Sequence, residues 1–378
     1  MRNPGDGWFV AWSGGGHEIK ESHKTVTVAI TVRDEADRIG ACFLALSRQV
    51  GVPPPRVLLP INNTVDCTAD LVRQFDVGTP IEVIEHQFPP HQCSAGHARR
   101  LAMELAAAHV GSGGLILTTD ADSRVAPDWL AKNLRHIDAG LDALAGVAEI
   151  DPIDVALIPV ALHRADAEEC AYAALLDEID SLIDPDADDP WPRYTQNSGA
   201  SICVRVAALR RAGGVPAIGL GEDRALFAAL RQTGARIRHA PEVRVTVSGR
   251  LFGRAAGGMA DTMRRRMVQA DPFLDDALEP AAIAVCRSDS RAMLRRLHAG
   301  RDWPGLMHRM TALACPTRII LQAHSLPFGA VWAAMELHAP ALARRPVPIA
   351  ELPAEMAHAL SVREALMGSP VNARSIAA

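Results

Sequence analysis

The chain has 378 residues, of which 48% are hydrophobic and 22% charged, and its formal net charge is −5. This length and balance fit one large α/β domain with an appendage, or two domains, and the mixture of both charge signs argues against nucleic acid as the main partner. Seven widely spaced cysteines without a CxxC pair argue against a disulfide scaffold or a zinc site and favour a reducing compartment.

The N-terminal segment, residues 1–24, contains SGGGH and no apolar periodicity, so we expect a flexible lead-in. We find no signal-peptide pattern and no uninterrupted apolar stretch of about 18 residues. The best membrane candidate, IILQAHSLPFGAVWAAM, is interrupted by His324 and Pro327. The sequence therefore predicts a cytoplasmic protein without a transmembrane segment, and it leaves peripheral contact with a membrane open.

From residue 25 onwards, strand-like apolar runs alternate with helical patterns. The runs TVTVAITV, RVLLPI, IEVIEH and GLILTTD are followed by helical patterns over 36–50, 67–75, 96–110 and 127–139. Regular alternation predicts a mostly parallel sheet with helices on both faces. Ser94 is predicted to cap the third of these helices.

After about residue 150 this alternation stops. A helical pattern over 158–182 leads into DPDADDPWPRYTQNSG, whose prolines and aspartates predict a loop. A strand ASICV, a helix after Arg205, a helix over 222–232 and a strand EVRVTV complete a predicted domain of residues 25–250. Residues 251–378 are predicted to form a helical C-terminal region.

Polar segments follow the first four predicted strands, where an open parallel sheet binds its ligands. The strongest signal is the pair Asp120 and Asp122 after GLILTT, because side chains two apart in an extended segment point the same way. Mg²⁺ takes one or two protein carboxylates and completes its shell with water and phosphate oxygens, so the pair predicts a metal–diphosphate site. In the alternative interpretation, Asp122 or Ser123 only caps the next helix.

Six segments resemble, in order and spacing, the motif series of family 2 glycosyltransferases with the GT-A fold. They are TVAITVRDEADRI, NNTVDCTADLV, AGHARRLAMELA, LILTTDADSRVAPDWL, NSGASICVRVAALRRAGG and GEDRALFAALRQTGARI. The resemblance covers residues 25–250 and implies a Rossmann-like domain that moves a sugar from a nucleotide diphosphate sugar to an acceptor hydroxyl, with inversion and with Mn²⁺ or Mg²⁺. No QxxRW segment with flanking membrane helices is present, which implies single, non-processive transfer.

The resemblance also implies the residues that bind the donor nucleotide. These are Arg33, Glu35, Asn62, Asn63, Gly96, Arg99 and Asp120. The two asparagines stand where the family has paired aspartates, and Asp34 replaces its usual asparagine, so the choice of base stays open. Asp122, with Asp120, is implied to bind the metal. Ser248 occupies the region where many members carry a further histidine ligand, so we expect Asp122 and water to coordinate the metal.

Glu222 and Asp223 match the acidic pair from which the family draws its catalytic base. Inverting transfer needs a carboxylate that takes the acceptor proton on the face opposite the diphosphate. Asp223 is the first choice and Glu222 the second. In the alternative interpretation both acids only complement the dipole of the helix they begin.

The remaining predicted contacts concern the sugar, the acceptor and the phosphates. The QNSGAS segment is implied to line the sugar pocket, with Asn197 on a sugar hydroxyl and Gly199 allowing close backbone approach. Trp191 is predicted to stack on an acceptor sugar or to anchor its loop. Arg250 and Arg254 lie in SGRLFGRAAGG, which is either a segment that closes over the diphosphate or a domain linker.

The sequence thus predicts a hexosyltransferase-type enzyme, but not its sugar, base or oligomeric state, nor whether its acceptor is a saccharide, a lipid-linked molecule or a small molecule. One alternative is a sugar-phosphate nucleotidyltransferase, which needs a glycine-rich phosphate loop that TVRDEADR lacks. The other is a catalytically silent nucleotide-sugar-binding protein.

Overall fold

The computed structural model describes residues 26–76 and 78–368, and the predicted lead-in lies outside them. The described strands form one sheet in the order β3-β2-β1-β4-β7-β6-β8-β5. The strands are β1 (Val26–Thr31), β2 (Arg56–Asn62), β3 (Ile81–His86), β4 (Leu115–Asp120), β5 (Arg124–Val125), β6 (Ala143–Ile150), β7 (Ile202–Arg205) and β8 (Ile237–Val247).

The sheet is mostly parallel. β1 pairs in parallel with β2 and β4, β2 with β3, and β6 with β8, whereas β7 runs antiparallel between β4 and β6, and β5 antiparallel to β8. The carboxyl ends of β1, β2, β3, β4, β6 and β8 therefore meet, with the amino end of β7, at one edge of the sheet. We call it the carboxyl edge, and the opposite one the amino edge.

Helices cover the sheet and continue to the end of the described chain. They are α1 (Ile39–Ser47), α2 (Thr68–Gln74), α3 (Ala95–Val110), α4 (Trp129–Asp138), α5 (Pro152–Val155), α6 (Val160–Ile183), α7 (Val206–Arg211), α8 (Glu222–Gln232), α9 (Met259–Val268), α10 (Ala281–Ala299), α11 (Trp303–Ala312), α12 (Thr317–Gln322), α13 (Phe328–His338) and α14 (Leu352–Gly368).

Alternating strand residues supply two cores, because successive side chains point to opposite faces of a sheet. Val28 and Ile30 of β1 pack in a cluster that includes Phe43 of α1 and Trp129 of α4. Ala29, between them, packs in the cluster formed with α3, α7 and α8. The predicted fold class is confirmed: a mostly parallel sheet with helices on both faces, followed by a helical C-terminal region.

The C-terminal helices have cores of their own. One cluster joins α10 to α13 around Met310 and Val331, and another packs α10 and α14 against Tyr172 and Ile179 of α6. The helix α6 thus packs with the C-terminal helices, while the domain boundary at residue 250 stays a prediction. Within the described residues, no helix is both long and apolar enough to cross a membrane.

The local predictions hold where apolar periodicity is strong. The loop after α6 is irregular up to residue 199, and Ser94 caps α3 by accepting from the backbone N–H of His97. Two strands were predicted less well: β8 begins at Ile237 instead of Glu242, and β6 was not predicted. The β6 sequence, ALAGVAEI, is rich in alanine and glycine, which have low strand propensity. Its hydrogen bonds to β7 and β8 stabilise it as a strand.

Candidate active site

The carboxyl edge gathers most of the residues predicted to bind donor, metal and acceptor. Arg33 and Glu35 follow β1. Asn62 ends β2 and Asn63 follows it, while Asp120 ends β4 and Asp122 lies two residues beyond. The start of α3, the turn before β7, the start of α8 and the segment after β8 approach the same edge. These side chains come from segments far apart in sequence, so their contacts are tertiary.

Arg99 of α3 lies beneath this edge and bridges three of the predicted segments. Its side chain is only 7% exposed. Nε donates to Oε1 of Glu222 at 2.9 Å, Nη2 to Oδ1 of Asp120 at 2.9 Å, and Nη1 to the carbonyl of Gly199 at 2.8 Å. Burial opposes the charge of Arg99, but Asp120 and Glu222 outweigh it and raise its pKa. Arg99 therefore holds the DxD and GED segments together, and its predicted nucleotide contact stays a prediction.

Two glycines are required by close approach at this point. A Cβ on Gly199 would lie 2.2 Å from Nη2 of Arg99, and a Cβ on Gly96 would lie 2.1 Å from the carbonyl oxygen of Ile218. Any larger residue would push Arg99 out of its bridge or move α3 away from the loop before α8. Both glycines were predicted to border the donor, and in the structure they serve the packing that places the acidic residues.

The two acids of the GED segment differ in their surroundings. Glu222 is buried and paired with Arg99, whereas Asp223 is partly exposed. Oδ2 of Asp223 accepts from the backbone N–H of Gly199 at 3.0 Å, which orients the carboxylate. A carboxylate has about four lone-pair sites, so Asp223 keeps capacity to accept a proton. This difference favours Asp223 over Glu222 as a base.

Asp122 shares a second charged cluster with Glu35 and Arg250. Nη1 of Arg250 donates to Oε2 of Glu35 at 2.7 Å, Nη2 donates to Oε1, and Nη2 lies 3.2 Å from Oδ2 of Asp122. Burial, and after it the charge of Asp120, raises the pKa of Asp122 to about 7. Burial likewise raises the pKa of Glu35. Burial thus disfavours the ionised form of both carboxyl groups, and a nearby cation would stabilise it.

The two clusters together carry surplus acid. Glu35, Asp120, Asp122 and Glu222 stand against two guanidinium groups, Arg99 and Arg250, which leaves two uncompensated negative charges when all four are ionised. A divalent cation matches that surplus, and two carboxylates are a sufficient protein contribution for Mg²⁺ beside a phosphate.

The protein supplies no larger metal-binding cluster at this edge. Within residues 26–76 and 78–368, no group of three or more His, Cys, Asp or Glu side chains is arranged to hold a metal ion. Ser248, in the region where a third ligand was considered, donates through Oγ to Asp154 at 3.2 Å. The donor set at Asp120 and Asp122 fits a cation that takes its remaining ligands from water and phosphate.

A cleft of about 520 Å³ opens beyond the ends of β1, β2 and β3. Its lining residues are Arg33, Asn63, Thr64, Val65, Gln87, Phe88, Pro90 and Cys93. Nδ2 of Asn63 donates to the carbonyl of Phe88 at 2.9 Å, and the N–H of Phe88 donates back to Oδ1 at 3.0 Å. Asn63 therefore shapes the wall of the cleft, and base recognition by Asn62 and Asn63 stays a prediction.

Two residues that line the cleft, Gln87 and Phe88, were not predicted, because no motif marks the residues directly after IEVIEH.

The structure does not bring Trp191 to the carboxyl edge. Arg238 of β8 donates to the carbonyls of Pro190 and Pro192, which flank it in the chain. From His239 to Val247, β8 spans roughly 26 Å at about 3.3 Å per residue, so the Trp191 loop is fixed at the amino edge. The chain then returns along α6 to Asn197, whose Oδ1 is buried without a hydrogen-bond partner among the described residues.

The segment after β8 crosses toward β1. Nε of Arg254 donates to the carbonyl of Asp34 at 2.8 Å, and the N–H of Gly249 donates to Oδ2 of Asp154 at 2.8 Å. Arg250 and Arg254 are thus both next to the turn that follows β1. Their position is compatible with the predicted phosphate contacts, which stay predictions.

Comparisons with known proteins gave solved structures only. No protein-family model and no curated protein matches the sequence. Among solved structures, the mannosyltransferase PcManGT from Pyrobaculum calidifontis, in complex with GDP-Man and Mn²⁺, is 20% identical, covers 89% of this chain and 86% of its own, and gives a TM-score of 0.45. TarS residues 1–349 from S. aureus, in complex with UDP-GlcNAc, is 13% identical, with coverage of 82% and 90% and a TM-score of 0.43.

A third similar structure is glucosyl-3-phosphoglycerate synthase from Mycobacterium tuberculosis, in complex with Mn²⁺, UDP and phosphoglyceric acid. It is 15% identical, covers 68% of this chain and 82% of its own, and gives a TM-score of 0.40. At TM-scores below 0.5, the function of this chain has to be inferred from its own residues.

Proposed function

We propose that this chain is a non-processive glycosyltransferase that moves a sugar from a nucleotide diphosphate sugar to an acceptor hydroxyl with inversion. The observation that carries the proposal is the Arg99 bridge between Asp120 and Glu222, which places the DxD pair and the partly exposed Asp223 at one edge of the sheet. The motif series of residues 25–250 supports the same activity.

The donor is assigned to the carboxyl edge by the chemistry of its parts. The cleft beside Arg33 and Asn63 has the size, and the mainly apolar lining with a few polar groups, that a nucleoside needs. The diphosphate is assigned to the neighbourhood of Asp122 and Arg250. When bound at Asp120 and Asp122, Mn²⁺ or Mg²⁺ supplies positive charge to the leaving diphosphate. Asn197, with an unpartnered buried acceptor oxygen, is assigned to a sugar hydroxyl.

Asp223 is assigned the proton transfer. Its carboxylate takes the proton of the acceptor hydroxyl while that oxygen attacks the anomeric carbon, and the bond from the anomeric carbon to the diphosphate breaks on the opposite face. The N–H of Gly199 orients the carboxylate, and Arg99 holds the neighbouring Glu222 out of the reaction path. The contribution of Asp223 thus belongs to the transition state more than to donor binding.

The test is Asp223→Asn, with Glu222→Gln as its matched variant. Asparagine keeps the shape but cannot accept the proton, so we expect turnover to fall by roughly 10² to 10⁴-fold with donor affinity little changed. Glu222→Gln should cost less. If both variants keep near-normal transfer to an identified acceptor, the catalytic assignment fails. If the wild-type protein binds nucleotide sugars but neither transfers nor hydrolyses them, it is a silent binder.

Exposed apolar residues beside the site support contact with a membrane surface, which the sequence left open. Ile153, Leu157, Val160 and Phe252 are between 70% and 82% exposed, and Gly249 lies against Ile158. Such a patch at the mouth of a site is typical of an interaction surface. Sedimentation with phospholipid vesicles tests this: Leu157→Ser with Phe252→Ser should lose binding that Leu337→Ser, a distant exposed change, keeps. Equal binding by all variants would reject the contact.

A further inference from the structure

The backbone of Glu35 is fixed in the turn between β1 and α1. Its N–H donates to Oγ1 of Thr68 at 2.9 Å, and its carbonyl accepts from the N–H groups of Arg38 and Ile39 at 3.0 and 2.9 Å. The residue is 5% exposed. Because its backbone is fixed and its side chain is buried, Glu35 has little freedom to move with a ligand. It can, however, hold another side chain in place.

That side chain is Arg250, which the sequence places 215 residues away. The backbone before it is also fixed: Gly249 donates to Asp154, and the N–H of Arg250 donates to Oγ of Ser248 at 3.2 Å. Both terminal nitrogens of Arg250 bond to Glu35, and one also faces Asp122. These contacts account for three of its five N–H groups, so two are left to bind a ligand.

The charges at this point act on a diphosphate in opposite directions. Asp122 repels a phosphate unless a divalent cation lies between them, whereas the guanidinium of Arg250 attracts it with or without a metal. The guanidinium of Arg250 can give its two remaining N–H groups to phosphate oxygens, and the surrounding carboxylates Glu35 and Asp122 keep it charged, raising the pKa of Arg250 against the effect of burial.

We propose that Arg250 is a metal-independent diphosphate-binding cation and that Glu35 is the positioning residue that aims it, not a direct nucleotide contact. The inference rests on the proposed function, since it assigns the diphosphate to this edge. It predicts that binding of a nucleoside diphosphate has two separable parts, one through Arg250 and one through Asp122 with its cation.

The test is calorimetric binding of UDP and GDP to the full chain, in EDTA and in Mn²⁺. In EDTA, the wild type should bind at least one of the two, and Arg250→Gln should weaken that binding by about 10-fold or more, the scale of a charge-assisted hydrogen bond. Glu35→Gln should weaken it by about 3-fold or more, and Glu35→Asp by less. At alkaline pH, where Asp122 is ionised, Asp122→Asn should tighten binding in EDTA, because it removes the repulsion, and should abolish the gain that Mn²⁺ gives.

Arg264→Gln on α9, an exposed arginine paired with Asp261, is the matched control and should bind as wild type. If Glu35→Gln weakens binding in EDTA as much in the Arg250→Gln background as it does in the wild type, Glu35 does not act through Arg250 and the proposal is wrong. It would also be wrong if the wild type bound neither nucleotide in EDTA while binding one in Mn²⁺, or if Asp122→Asn weakened binding in EDTA. Absence of binding in both buffers would instead overturn the proposed function.

Discussion

The two edges of the sheet both bury charged side chains, but they balance them differently. At the amino edge, Asp189 accepts from the backbone N–H of His239 at 2.8 Å, from Nδ1 at 2.6 Å and from Nη1 of Arg238 at 3.1 Å. Nε2 of His239 faces Nη2 of Arg231 at 3.1 Å. Because arginine only donates, Nε2 accepts and the ring proton is on Nδ1. Both oxygens of Asp189 and both ring nitrogens of His239 therefore have complementary partners.

At the carboxyl edge the same residue types leave acid in excess. Arg99 and Arg250 face four carboxylates, and Asp223 is a fifth nearby. At the amino edge the carboxylate of the cluster, Asp189, is fully paired with donors, so the cluster fixes the loop of residues 184–199 and has no acid left for a cation. Surplus carboxylates repel one another, so the cluster at the carboxyl edge is stabilised by a bound cation. Such uncompensated charge is typical of a functional site. His239 belongs to the cluster at the amino edge.

The largest expected effect tests whether Arg99 is a structural bridge. Arg99→Met keeps much of the volume but leaves Glu222 and Asp120 without their cation, which should cost about 3–5 kcal/mol of unfolding free energy. Urea unfolding at fixed pH measures it. Arg100→Met, which removes only the surface pair with Glu104, should change stability by less than about 1 kcal/mol. Equal stability of the two variants would contradict the bridge and favour a nucleotide role for Arg99.

A smaller effect is expected from Asp189→Asn at the amino edge. Burial alone would raise the pKa of Asp189, but the hydrogen bonds from His239 outweigh it and lower the pKa. Its stabilisation is therefore present above the unfolded-state pKa of about 4 and is lost as pH falls through the lower folded-state value. We expect a loss of about 2–3 kcal/mol near neutral pH, where hydrogen bonds to a charged group are broken.

Melting curves of wild type and Asp189→Asn between about pH 2.5 and 7 check this expectation. The gap between the two proteins should narrow as the pH falls below about 4. Transfer at neutral pH should be unchanged below the melting range, since Asp189 lies at the opposite edge from Asp223. A gap that stays constant in acid would show that Asp189 is not charged in the folded protein.

The smallest effect is expected from Trp191→Ala, which tests whether the amino edge takes part in the activity. Trp191 is 41% exposed and lies in the loop held at the amino edge, so Trp191→Ala should cost about 1 kcal/mol of stability at most. Donor hydrolysis and transfer should both remain near wild type. Loss of transfer with intact hydrolysis would instead restore the predicted acceptor role and would require an acceptor that reaches the amino edge.

The sequence by itself determined the local architecture. Continuous apolar runs and helical patterns predicted β1 to β4 with their helices, the irregular loop after α6, and the helix that begins at Glu222. It also placed Asp120 and Asp122 at a strand end. These features follow from burial of neighbouring residues, which periodicity records directly.

The tertiary structure alone decided which charges meet. Arg99 and Glu222 are 123 residues apart, and Glu35 and Arg250 are 215 apart, so no spacing rule connects them. Trp191 lies in the same predicted loop as Asn197, yet the chain between them runs back along the C-terminal half of α6, where Arg193 binds Asp180 and Thr195 binds Asp177. Partners of buried charges are set by strand order and by the direction of each connection, and these depend on how the whole sheet assembles.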